Sequence, residues 1–313
     1  MEQIKRQQSK FFHNYNESQR KKIRSDSYNY LSRKTITYFE DLSNELIYEV
    51  FEFLDYFHVY EAFFNLNIRF RNLLINSTLP IQINISSMSK SAYQQYHTDI
   101  IKTSTYRINS LQLSNLFIYG LAFSPIRILS KFLQLERLIL NNIKSQYLEK
   151  LLLQLISLPL LSSLTITSLD TVKNTSIIYH QIFRLPALKY CKLSLERYSN
   201  DYDLPLSTIY DQSPIEHLII NDDMYLDQLN RLVSYVPQLR RLSIQLRQGY
   251  WRQRTKIRPP TLSHLTHVFL KLDYVSFNQF EQLVIDLFAT IQVLYISIKY
   301  NRDIAYMDSK RWE

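Results

Sequence analysis

From Ile108 to Ile296 the chain repeats one pattern, apolar-x-x-apolar-x-apolar. It runs through Ile108/Leu111/Leu113, Leu135/Leu138/Leu140, Leu161/Leu164/Ile166 and Leu188/Cys191/Leu193. It continues as Ile215/Leu218/Ile220, Leu239/Leu242/Ile244, Leu265/Val268/Leu270 and Ile291/Leu294/Ile296. Successive units start 27, 26, 27, 27, 24, 26 and 26 residues apart. The last two apolar positions of each unit are two apart, the period of a half-buried strand. Between strands the period lengthens. Tyr147, Leu148, Leu151, Leu152, Leu155 and Ile156 make one helical face; Tyr225, Leu226, Leu229, Leu232, Val233 and Val236 make another. Phe277, Phe280, Leu283, Val284, Leu287 and Phe288 make a third. Pro159, Pro186 and Pro237 each stand two residues before a unit begins, where a helix must stop. Each unit therefore reads as one strand and one helix.

The pattern is different upstream. Residues 36–78 are dense in aromatic and aliphatic side chains and hold no Gly or Pro. Leu42, Leu46, Ile47, Val50, Phe51 and Leu54 recur at helical spacing, with Ser43 placed to cap the helix and Glu45 suited to its first turn. The pattern restarts after Asp55 (Val59, Tyr60, Phe63, Phe64, Leu66) and again after Asn67 (Ile68, Phe70, Leu73, Leu74). Three short helices are predicted. Some forty residues cannot build much of a core alone, so part of this apolar surface is expected to pack on something else. Residues 1–35 are polar and basic and are predicted to be a disordered arm. Residues 84–107 read as a connecting or capping segment and 301–313 as a C-terminal tail.

Composition narrows the function classes. Two glycines, Gly120 and Gly249, stand far apart in 313 residues. Glycine-rich phosphate loops and dinucleotide fingerprints need several close together, and primed hairpin turns want them too. The single Cys191 excludes an intramolecular disulfide or a cysteine-based zinc site and suits a reducing compartment. No secretory apolar segment follows Met1, and an intracellular protein of the cytoplasm or nucleus is expected. Leu151–Leu169 carries no formal charge, but it reads as a helix, a proline stop and a strand rather than a membrane span. The arm holds nine Lys/Arg against Glu2, Glu17 and Asp26, which is +6 of the net +9. The body is nearly neutral, which argues against nucleic acid as the partner.

Two resemblances build on these patterns. Phe39-Glu40-Asp41-Leu42-Ser43-Asn44-Glu45-Leu46 through Leu54-Asp55, followed by Ala62 to Leu74, resembles an F-box. Ser43 stands where that family usually has Pro, which removes a rigid turn and leaves a helix cap. Residues 108–300 resemble the short leucine-rich repeats of many F-box proteins. The family's Asn or Cys ladder is missing, with Ile143, Leu169, Glu196, Asp223, Arg247, Asp273 and Lys299 in its places, so an irregular arc is expected. The resemblances imply an N-terminal three-helix F-box (36–83) followed by an α/β leucine-rich-repeat solenoid (108–300), with parallel strands on the concave side and helices outside. They further imply a non-catalytic substrate receptor. Its F-box docks on a Skp-type adaptor, and through it on a cullin, and its repeats present a protein for ubiquitination. By position, Leu42, Ser43, Leu46, Val50, Leu54, Val59 and Phe63 fall in the adaptor contact.

In such a repeat the residues between the apolar positions face outward. One outward column is Arg137, Ser163, Tyr190, His217, Arg241, His267 and Val293; a second is Ile139, Thr165, Lys192, Ile219, Ser243, Phe269 and Tyr295. Tyr190, Lys192, His217, Arg241, His267 and Phe269 mix basic and aromatic groups, which suits an acidic or phosphorylated partner. Between Leu246 and Leu262 the helical pattern lapses. Tyr250, Trp251, Arg252 and Arg254 lie there beside further cations and suit an anion or substrate contact. An alternative use of this loop and the arm is binding nucleic acid or another anionic partner. His264 and His267 are three apart on a predicted strand and face opposite ways, so no metal site is expected. Asp222-Asp223 reads as a turn and Cys191 as a buried, inert thiol. Neither a cofactor nor a catalytic set stands out.

Overall fold

The computed structural model describes residues 38–86, 88–114, 131–196, 212–248, 262–288, 290–300 and 303–312. The basic arm and the 249–261 loop, with Tyr250, Trp251, Arg252 and Arg254, lie outside them. The chain divides into two compact units, Met1–Ile47 and Tyr48–Glu313.

The described part of the first unit is a 3-10 turn, Phe39–Asp41, and the start of helix α1 (Asn44–Glu52). The Leu46 amide donates to Ser43 Oγ at 3.4 Å, so the serine caps α1 as its position suggests. In the second unit α2 (Tyr56–Phe63) and α3 (Ile68–Asn76) follow. Asp55 and Asn67 cap them, accepting from the amides of Phe57 and Phe70. Phe63 bridges Phe51 and Phe70, with ring centroids 5.2 and 5.3 Å away.

Among the described residues nine strands make one all-parallel sheet in chain order. They are β1 (Ile81–Asn84), β2 (Ile108–Leu113), β3 (Arg137–Ile143), β4 (Ser163–Ser168) and β5 (Tyr190–Ser194). Then come β6 (His217–Tyr225), β7 (Arg241–Arg247), β8 (His267–Asp273) and β9 (Val293–Lys299). Helices lie in the connections between them. Helix α4 (Lys90–Tyr96) joins β1 to β2, α5 (Ser145–Leu155) joins β3 to β4, and α6 (Thr175–Phe183) joins β4 to β5. Helix α7 (Leu226–Tyr235) joins β6 to β7, and α8 (Phe277–Leu287) joins β8 to β9. The uncharged stretch is thus the end of α5, a turn and β4. Among the described residues no helix is long and apolar enough to cross a membrane.

The register follows the sequence repeat. Leu138, Leu164, Cys191, Leu218, Leu242, Val268 and Leu294 pair across the sheet, as do Leu140, Ile166, Leu193, Ile220, Ile244, Leu270 and Ile296. From β3 to β8 both columns are buried, and the residues between them are half-buried or exposed. One face of the sheet is therefore covered and the other open.

The structure corrects three expectations here. The sheet begins one unit early, because Ile83 pairs with Leu111 in β1. Ile81 pairs with Ile108 and the register shifts between Ile81 and Gln82, so Ile81, Ile83 and Ile85 are evenly two apart and the three-residue step of the later units is missing. Residues 84–107 then complete an ordinary strand-to-strand connection. Residues 303–312, within the expected C-terminal tail, pack on α8. Two 3-10 turns, Ile304–Met307 and Ser309–Arg311, bring Tyr306 and Trp312 against Phe277 of α8, with ring centroids 5.1 and 5.3 Å away. Asp222-Asp223 is not a turn. It lies in β6, where the register shifts between Ile220 and Asp223.

Polar side chains tie one unit to the next. Asp170 Oδ1, after β4, accepts from the Ser145 amide at the start of α5 at 2.6 Å. Asp303 Oδ2, after β9, accepts from the Phe277 amide at the start of α8 at 2.8 Å. A carboxylate from the following unit thus satisfies an orphan helix amide. Bonds from the Phe277 and Ala305 amides hold the Asp303 carboxyl below the usual range. Arg247 Nη2 lies 3.0 Å from Asp273 and 3.4 Å from Asp223. Arg247 pairs with Asp273 in register, while Asp223 pairs with Gln245. At the other end, buried Arg107 donates to the carbonyls of Leu79 and Leu74, each at 3.0 Å, and joins the end of α3 to the sheet.

Leu218 is fully buried at the middle of its column. Leu218→Ala is expected to destabilise the protein by about 2–5 kcal/mol, read as a lowered urea midpoint at unchanged m-value.

Candidate functional site

The open face of the sheet brings most of the expected substrate residues together. Arg137, Ser163, Tyr190, His217, Arg241, His267 and Val293 pair strand to strand in one row. Ile139, Thr165, Lys192, Ile219, Ser243, Phe269 and Tyr295 form the next. His217 lies between Tyr190 and Arg241. Its ring stands edge-on to that of Tyr190 at 6.4 Å. His267 Nδ1 lies 2.9 Å from Thr266 Oγ1. Phe269 and Tyr295 stack with centroids 4.9 Å apart and planes within 8°.

Charge on this face is unevenly satisfied. Glu216 is held between Lys189 at 3.5 Å and Arg240 at 3.3 Å, just before β6. Asp223 and Asp273 are held by Arg247, and Asp223 also accepts from the Gln245 amide group. Lys192, Arg241 and Lys271 make no ion pair among the described residues. The excess is positive and centres on β5 to β8. Burial, and then the neighbouring Arg241 guanidinium, hold the His217 imidazole below its usual pKa.

The outward columns place Phe269 beside Tyr295 and leave out a neighbouring aromatic pair. A second stack, Tyr274 on Tyr300, lies at the exits of β8 and β9 with centroids 6.0 Å apart. Both tyrosines have positive φ, 55° and 52°, which side chains with a Cβ adopt only under constraint. Lys299 Nζ lies 4.7 Å from the Tyr300 ring centre. The spacing of 26 residues between these tyrosines repeats the unit length and is the signal that was there to be found.

The residues expected to contact an adaptor divide by burial. In the first unit Leu42 is half-buried, and Ser43 and Leu46 are exposed. In the second unit Val50 and Leu54 are exposed, and Phe53 beside them is 89% exposed. Phe63 is half-buried in its ring cluster. Val59 does not fit the expectation. It is fully enclosed within the protein's own fold, because α2 turns that face inward, and it offers a partner no surface. The sequence missed Ile68 at the start of α3, which is 75% exposed.

Among the described residues no group of three or more His, Cys, Asp or Glu is arranged to hold a metal. His264 is exposed in the approach to β8, apart from His267 on the strand. Cys191 is fully buried in a leucine column, and burial pushes its thiol far above the usual range. What the open face can do chemically is bind, through cations, imidazoles and ring faces. In comparison with known proteins, the chain matches no family model and no curated protein.

Removing the cation beside His217 lets the ring hold its proton to higher pH. Arg241→Ala is expected to raise the His217 pKa toward the ordinary histidine value, followed as a shifted midpoint in a histidine NMR titration.

Proposed function

We propose that this chain is a non-catalytic substrate receptor of a Skp–cullin–F-box ubiquitin ligase. In this reading residues 36–83 are an F-box that docks on a Skp-type adaptor and through it on the cullin. The strand–helix units are leucine-rich repeats whose open face is the concave side of a solenoid and holds a protein substrate. Other subunits of the ligase carry out the chemistry. Such a protein works in the cytoplasm or nucleus.

The observation that carries the reading is apolar exposure in the helical region. Val50, Phe53, Leu54 and Ile68 stand in solvent near the end of α1, just after it and at the start of α3. Water makes such exposure costly, at about 25 cal/mol per Å², and a partner that covers these side chains removes the cost. Leu42, Ser43 and Leu46 belong to the same contact through the F-box resemblance. On the other side, the positive excess and ring faces of β5 to β9 favour an acidic or phosphorylated substrate over a neutral one.

Co-expression with a Skp-type adaptor tests the reading. The wild-type chain is expected to co-purify with it. Leu54→Asp is expected to weaken that binding by at least about ten-fold while the protein stays folded, because Leu54 is exposed. Val59→Asp, at a fully buried position, is expected to unfold the helical region instead. A wild-type chain that is folded and does not bind the adaptor overturns the reading.

A further inference from the structure

We propose that the open face of β7 holds a slot for one aromatic side chain of an acidic, extended peptide. The proposal rests on reading this face as the substrate side.

The slot follows from one register row. Ile219, Ser243, Phe269 and Tyr295 stand side by side on β6, β7, β8 and β9. Ser243 is the smallest of them. Tyr295 covers the Phe269 ring face that looks toward β9, at 4.9 Å and 8°. The other ring face looks across Ser243 toward Ile219. Neighbouring strands are about 4.8 Å apart, so Ile219 and Phe269 stand about 9.6 Å apart. A ring laid over Ser243 sits about 4.8 Å from each, inside the range at which aromatic rings stack. It would meet a ring on one side, a branched aliphatic group on the other, and a hydroxyl beneath. The Phe269–Tyr295 stack would continue by one ring.

Charge names the rest of the ligand. Arg241 precedes Ser243 by two residues on the same face of β7, between His217 and His267. Lys271 follows Phe269 by two on β8 and is exposed. Neither cation has an ion-pair partner among the described residues. The nearby carboxylates Asp223 and Asp273 are already held by Arg247. In an extended peptide, residues two apart share a face at roughly 6.6–6.8 Å, the same step that separates Arg241 from Ser243. A peptide lying along β7 with an aromatic residue over Ser243 therefore brings a carboxylate two positions away to Arg241 or Lys271. The ligand class is an extended segment carrying an aromatic residue with Asp or Glu two positions from it.

Selection from a displayed library of random heptapeptides against the full chain tests this. Aromatic residues with an acid two positions away are expected to be enriched. For a selected peptide, Ser243→Trp fills the slot and Arg241→Glu reverses the charge. Each is expected to weaken binding by at least about ten-fold, with unchanged urea midpoints. Enrichment of basic peptides, enrichment without an aromatic residue, no enrichment, or undiminished binding by Ser243→Trp overturns the proposal. So does displacement of selected peptides by single-stranded RNA at lower concentration than by free peptide. Co-purification of Ser243→Trp with the adaptor is read in parallel. If wild type selects the peptides and binds no adaptor, the ligase reading falls and the slot stands.

Discussion

Strand register is the constraint on which everything else in this protein depends. Side chains alternate across a sheet with a period of two, so a slip of one residue would carry a buried leucine column into water and the Arg241–His217–His267 row into the core. Two adjacent columns, one through Leu218 and the other through Ile220, are buried from β3 to β8, which penalises a slip at every strand at once. Because each strand pairs with its neighbours in sequence, each unit takes its register from the one before it. The open face inherits that order. Residues far apart in the chain and in no other respect related, such as Arg137 and His267, stand in one row because the leucines behind them do.

The parts legible in the sequence are those that the core enforces. Both outward rows can be written down from apolar spacing alone, and the pairing of the strands reproduces them residue by residue. Legibility stops where a position serves two purposes. The register shift after Ile81 shortens the apolar spacing of the first unit by one residue, and so masked it. Val59 and Leu54 both carry helical apolar spacing, and pattern cannot tell which looks inward; the fold buries one and exposes the other. Asp222-Asp223 has turn chemistry, yet the ladder continues through it after a shift. Asp303, Tyr306 and Trp312 look like a polar tail in sequence because their partners, Phe277 and Phe280, lie a whole unit earlier.

Polar groups are assigned to two kinds of task. Some hold the array together: Arg107 on two carbonyls, Glu216 between two cations, Arg247 between two carboxylates. Others, including Lys192, Arg241 and Lys271, have no such duty among the described residues. The same division separates Phe63, occupied by neighbouring rings, from Phe53, which touches mainly water. Surface that the fold does not use for itself is where a partner gains most and disturbs least.

The carboxylates of Asp170 and Asp303 carry a consequence for how the array folds. Each closes a helix that belongs to the unit before it, so a helix has its full set of bonds only once the next strand is in place. Stability then resides in the junctions between neighbours more than in any single unit, the regime of a one-dimensional chain of coupled spins. An array cut between β4 and the Asp170 turn would leave α5 with an open amide at its head, and fraying would begin there and run backward along the chain.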